Sequence, residues 1–278
     1  MKEPIGIFDS GVGGLTVIKE LNRFLPNENI VYFGDIARVP YGSKTPEEIL
    51  SIVREIIDWM LSFNVKAVAM ACNTSSALAL DTVRREYDIP IFGLIKPTAN
   101  YIYYLENKPK KVGVIATQAT VKSKAYSKEI KKLLPDVEVI EIACPGLVEI
   151  IESGQIKSKV AYREVEKFIK PLIKEKVDKI ILGCTHYPFV SDLINEIYPK
   201  EKLLINPAEY MVREIMAVLE SLGINNIFNP SPVKQYYVSA LPLQFIKVGN
   251  KLLKDELTEK DVKVQLLGDK SLYTNMAV

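Results

Sequence analysis

Two cysteines occupy matching places in this 278-residue chain: Cys72 in Ala71-Cys72-Asn73-Thr74-Ser75-Ser76, and Cys184 in Gly183-Cys184-Thr185-His186-Tyr187-Pro188. Each follows an apolar, strand-like run, and each is trailed by polar side chains and an expected helix. A thiol at a helix amino terminus gains from the free N–H groups and the dipole there, which favour its thiolate. An isolated cysteine ordinarily ends as inert core filler; two in the same context point to acid/base chemistry. His186, the only histidine, lies two residues after Cys184. Asp9 ends a strand that can lie beside the one delivering Cys72. Either residue can relay protons to its neighbouring thiol. The third cysteine, Cys144, reads as structural.

Two further segments carry functional groups. Asp9-Ser10-Gly11-Val12-Gly13-Gly14 has glycines that allow a tight turn and a close approach to a ligand. It fits neither the dinucleotide fingerprint nor the Walker A pattern, so a phosphate cradle is the weaker reading. Asp35-Ile36-Ala37-Arg38-Val39-Pro40-Tyr41-Gly42 combines charge, a proline and a tyrosine before glycine, and reads as a substrate-facing loop.

Such residues need strands to deliver them. Short apolar runs alternate with amphipathic helical patterns, the signature of βα units and mostly parallel sheets. Strands are predicted at 5–9, 30–34, 66–71, 90–94, 111–116, 137–143, 178–183, 202–206 and 235–239. Ligands of such sheets bind beyond the carboxyl ends of the strands, where all the segments above fall. Thr45-Pro46-Glu47-Glu48 predicts a capped helix start. Asn206-Pro207-Ala208-Glu209 predicts another, with Gly223 as its terminator, and LQFIKVGNKLLK (243–254) reads as a late helix. IGIFDS (5–10) resembles VGVIAT (112–117), and AVAMACNT (67–74) resembles KIILGCTH (179–186). In both halves a strand ending in cysteine follows the earlier one by roughly sixty to seventy residues, which suggests duplication.

Composition narrows the classes. The 36 basic and 34 acidic residues leave a net charge of +2, so no large field favours nucleic acid or an anionic membrane as partner. No apolar run reaches membrane-span length, and the start is no signal peptide. The chain reads as cytoplasmic. Three dispersed cysteines and one histidine argue against a disulfide framework or a zinc site.

The stretches IGIFDSGVGGLTV (5–17), YFGDIARVPYG (32–42), ACNTSSA (71–77), VGVIATQATVKS (112–123) and GCTHYPF (183–189) closely resemble the glutamate racemase family of bacterial cell-wall synthesis, in the aspartate/glutamate racemase superfamily. The resemblance implies an α/β fold of two similar domains, 1–97 with 207–278 and 98–206, each a mostly parallel sheet flanked by helices, with the site in the cleft between them. It implies interconversion of L- and D-glutamate without a cofactor, with Cys72 the base toward D-glutamate and Cys184 the base toward L-glutamate. Asp9 and His186 would assist the nearer thiol. Ser10, Tyr41, Gly42, Asn73, Thr74 and Thr185 match substrate-holding positions, with Thr117 and Thr120 lining the cleft, and Glu152 falls where the family has an acidic active-site residue. A homodimer supplying D-glutamate to peptidoglycan synthesis is expected. The run ACPGLVEIIESG (143–154) departs from a more hydrophobic family version, without touching the cysteines. Two rivals stay open: racemisation of aspartate, because thiol chemistry is indifferent to side-chain length, and a non-catalytic binding protein, against which the thiol pair argues.

Overall fold

The computed structural model describes residues 3–200, 203–253 and 257–268. Its strands are β1 (Ile5–Asp9), β2 (Ile30–Gly34), β3 (Ala67–Met70), β4 (Ile91–Gly93), β5 (Lys111–Ala116), β6 (Glu138–Ala143), β7 (Lys179–Gly183), β8 (Leu204–Ile205), β9 (Lys234–Val238) and β10 (Val262–Val264). They form two sheets, ordered β10-β9-β2-β1-β3-β4 and β6-β5-β7-β8, and every pairing is parallel. The order β2-β1-β3-β4 in the first sheet repeats as β6-β5-β7-β8 in the second. The suspected duplication is therefore a repeat of topology, with β9 and β10 added on one edge of the first copy.

The helices are α1 (Leu15–Phe24), α2 (Pro46–Leu61), α3 (Asn73–Leu78), α4 (Leu80–Glu86), α5 (Ile95–Tyr104), α6 (Gln118–Ser123), α7 (Ala125–Leu133), α8 (Leu147–Glu152), α9 (Lys159–Lys174), α10 (Ser191–Ile197), α11 (Pro207–Ser221) and α12 (Pro242–Leu253). They cover both faces of each sheet, which is why strands such as IGIFD and AVAM are buried at every position rather than at alternate ones. Ile7 and Tyr32 face one core of the first sheet, Phe8 and Phe33 the other. Ile115 and Val114 divide the second sheet in the same way. Each such fully buried aliphatic side chain contributes on the order of 1.5–3 kcal/mol.

The capping signals work as expected. Thr45 accepts from the Glu48 amide while the Glu48 side chain accepts from the Thr45 amide, closing a capping box on α2. Asn206 accepts from the Ala208 amide at the start of α11, and Gly223 follows that helix with φ of 66°. Two features differ from expectation. The division at 97/98 falls inside α5, whose Ile95, Ala99 and Ile102 all pack into a core of the second sheet. The strand expected at 202–206 shrinks to two residues, its Lys202 lying outside the described residues, as does Lys254 of the late helix and the end of the chain from Asp269. No helix among the described residues is long and apolar enough to cross a membrane.

Candidate active site

Cys72 lies two residues beyond β3 and caps α3, with its carbonyl accepting from the Ser76 amide. Cys184 lies one residue beyond β7, but no α-helix follows it directly. A turn at Thr185–His186 leads into a 3-10 helix at Tyr187–Val190, and α10 begins only at Ser191. The helix terminus expected to support this thiol is thus replaced by a side chain: His186 Nδ1 stands 3.8 Å from Cys184 Sγ. Pro188 in the segment THYPF favours this short 3-10 turn.

Both thiols are buried, at 5% and 6% exposure, and open onto one cavity of about 130 Å³. Ser10, Tyr41, Gly42, Asn73, Thr74, Thr117, Thr185 and His186 line it with them. They arrive from the carboxyl ends of strands in both sheets, as the parallel topology requires. Asp9, Thr120 and Glu152 stand one layer back. Asp9 accepts from the amides of Gly14 at 2.7 Å and Gly11 at 3.3 Å, and from the Thr185 hydroxyl at 3.4 Å. The hydroxyls of Thr74, Thr117 and Thr120 form a triangle with sides of 2.9, 3.0 and 3.3 Å, tying α3 to the first turn of α6. Glu152 Oε1 meets His186 Nε2 at 2.6 Å and accepts from the Val12 amide at 3.4 Å.

Tyr41 enters the site differently from what its type suggests. Its hydroxyl donates to Asp35 at 2.6 Å, beside the Arg38 guanidinium, so the ring anchors the loop and leaves the backbone of Tyr41 and Gly42 toward the cavity. Asn73 does the reverse. Its carbonyl oxygen is satisfied by the Tyr126 hydroxyl at 2.6 Å, while its amide nitrogen Nδ2 is buried without a partner among the described residues. A buried unpaired donor is costly; at the wall of a cavity it is a place for an acceptor such as a carboxylate oxygen.

The glycines at 11–14 also act across the cleft. A Cβ on Gly13 would stand 2.6 Å from both His186 Nδ1 and Thr185 Oγ1. The close approach that glycine permits is made here to the other half of the molecule.

The charged groups around the two thiols differ. Burial pushes the Cys72 thiol up to about 12, and the nearby Asp9 carboxylate adds to this, against a smaller opposing effect of the Ser75 amide. Burial alone would disfavour a charged His186, yet its bonds to Cys184 and Glu152 outweigh that and hold the imidazolium well above its ordinary range. Glu152 loses solvation too, but the His186 partner keeps its carboxyl below the usual range. Asp9 is raised by burial, opposed by His186 and its amide donors. Cys184 adds to the raising of Cys72, so the two sulfurs lie within electrostatic reach.

Val39 and Pro40 line the cavity from the loop expected to face substrate, and the cavity also includes residues not anticipated from sequence: Ser43, Gln118, Val148, Glu149 and the Cys144-Pro145-Gly146 turn. Cys144 follows β6 as Cys184 follows β7, which was a usable signal. Among the described residues no cluster of histidine, cysteine or acidic groups is arranged to hold a metal ion.

The chain matches the Asp/Glu/Hydantoin racemase family over residues 5–215. It is 45% identical over 248 residues to a glutamate racemase of Trichormus variabilis, covering 89% of this chain and 84% of that one. Among solved structures, glutamate racemase from Francisella tularensis in complex with D-glutamate superposes with a TM-score of 0.86 at 34% identity, covering 95% of this chain and 97% of that one. A glutamate racemase isoform from Bacillus anthracis gives 0.88 at 33%, covering 96% and 97%. With two parallel sheets, both cysteines and these relatives in hand, the chain belongs to the Asp/Glu/Hydantoin racemase family and is an amino-acid racemase.

Proposed function

We propose that the protein interconverts L- and D-glutamate, with Cys72 and Cys184 as the acid and base on opposite faces of the substrate α-carbon. The observation that carries this is the pair of buried thiols, delivered by equivalent strands of two like sheets into one cavity. The choice of glutamate rests on the relatives named above.

Toward L-glutamate, Cys184 beside His186 serves as the base, and Cys72, whose proton is held by burial, as the acid. L-Glutamate gives its α-proton to Cys184; the C–H electron pair passes into the α-carboxylate as an enediolate-like charge, and Cys72 protonates the opposite face. D-Glutamate reacts through the reverse sequence once Cys72 has become the thiolate. Removing such a weakly acidic proton calls for a desolvated base and for donors aimed at the developing charge. The Asn73 amide, the Thr74 and Thr185 hydroxyls and the amides near Ser10 and Gly42 are suited to that task. Asp9, His186 and Glu152 act on the thiols rather than on the substrate carbon. The mechanism supplies acid and base from the chain itself and so calls for no cofactor.

The same reading places the protein in the cytoplasm as a homodimer, making D-glutamate for peptidoglycan, with neither nucleic acid nor membrane as partner. Its two units are 1–94 with 207–278, and 95–206, the boundary moved to keep α5 with the core it joins. The decisive experiment follows solvent deuterium at the α-carbon of each enantiomer of glutamate and of aspartate, in the parent, Cys72→Ser and Cys184→Ser. Exchange of glutamate in the parent and its collapse in both variants supports the reading. Parental turnover in either variant would overturn it, and faster aspartate exchange would reassign the substrate.

A further inference from the structure

The cavity that is to hold a dicarboxylate has no lysine or arginine among its described lining residues. It has instead an additional acid. Glu149 lines it from the first turn of α8 and is exposed, which places its carboxylate at the rim. Glu152 lies three residues on, on the same side of the helix, but its charge is balanced by His186. Beside Glu149 the wall is thin: Gly146 adopts a φ of 80°, and nothing lies within 4 Å of where its Cβ would stand. Gly146 and Glu149 both line the cavity and both are exposed, which puts this turn at its open edge.

We propose that Glu149 is a specificity-determining residue, a rim carboxylate that weakens the hold of the cavity on dicarboxylic amino acids relative to neutral isosteres of the same length. The proposal rests on the assignment of glutamate as substrate and extends it. Glutamate carries one net negative charge at neutral pH, so a carboxylate at the entrance raises the free energy of the bound substrate and of the bound product alike. Such uniform weakening appears in KM and speeds release of an anionic product. Like charges about 8 Å apart at a wet rim change affinity by about threefold, and salt screens the effect.

The test compares the parent with Glu149→Gln and Glu149→Lys, using calorimetric dissociation constants for L-glutamate and L-glutamine together with parental glutamate turnover. In Glu149→Gln, glutamate binding should tighten about threefold at low ionic strength, with glutamine unchanged, and the gain should shrink in about 0.5 M salt. Glu149→Lys should tighten glutamate further. A glutamate affinity unchanged in both variants, or a change that is equal for glutamine or indifferent to salt, overturns the proposal. Because Glu149 also sits favourably near a helix amino terminus, a purely structural role would lower the melting temperature without charge selectivity. If the parent binds glutamate with the expected salt-sensitive response but does not turn it over, the substrate assignment fails and the rim charge stands.

Discussion

Cys72 and Cys184 hold corresponding places in two sheets of the same order, yet their surroundings differ in kind. Cys72 has a helix behind it, a carboxylate nearby and a proton held tightly by burial. Cys184 has an imidazolium beside it, itself held by Glu152. Duplication can place two like groups symmetrically, but a pair of equal thiols would be a poor acid and base at once. Where the first half has a helix terminus the second has a histidine, a difference that under the proposed mechanism separates acid from base.

Several perturbations would break or sharpen this contrast. The largest effect is expected from the sulfurs: serine at either position should lower racemisation by about 10³-fold, followed as loss of optical-rotation change. Equal residual proton exchange from both enantiomers in Cys184→Ser would show the thiols to be interchangeable. His186→Asn comes next, with a fall of about 10–100-fold in turnover and an acid limb of the rate profile displaced to higher pH, since the thiol acting as base loses the cation that favours its charged form. Glu152→Gln should instead move the alkaline limb to lower pH, since His186 loses the carboxylate that helps it keep its proton.

The Glu152–His186 pair should also be visible in stability. His186 is raised in the folded state, so its contribution is complete below the ordinary imidazole range and is lost as pH rises through the raised value. Glu152 is lowered, so its contribution is present above the ordinary carboxylate range and is lost as pH falls through the lowered value. Thermal unfolding of parent against Glu152→Gln should therefore diverge most between those limits. The difference should be about 2 kcal/mol, below that of a fully buried pair because the Glu152 side chain keeps 20% exposure. Gly13→Ala should cost about 1–3 kcal/mol from overpacking and disturb the Cys184 side more than the Cys72 side, read by comparing alkylation rates of the two sulfurs. The smallest effect is Thr45→Ala, about 1 kcal/mol of stability from a lost cap with turnover unchanged, because that helix start lies outside the thiol network.

The sequence carried the parts of this contrast that depend on local pattern. Apolar runs located nine of the ten strands among the described residues, and Thr45 and Asn206 located two helix starts, because burial on both faces and capping are written in neighbouring residues. β10 escaped because Val262-Lys263-Val264 is too short to show periodicity and is specified by pairing with β9. Cys72, Cys184 and His186 stood out through residue type and placement after strands. Less accessible was what groups distant in sequence do to one another: that Asn73 bonds Tyr126 and keeps one donor unpaired, and that Gly13 makes room for His186. These depend on how the two halves meet, which spacing along one chain does not encode.

The His186–Glu152 pair has a consequence that reaches past the site. In achiral solvent the two enantiomers of an amino acid have equal free energy, so the equilibrium constant of racemisation is one. The ratio kcat/KM must then be the same in both directions, however unequal the two thiols are made. An imidazolium beside only one of them cannot favour either enantiomer at equilibrium; it can only redistribute each direction's performance between kcat and KM. A cell that needs one enantiomer in excess must obtain it from whatever consumes the product, because no arrangement of these side chains can supply it.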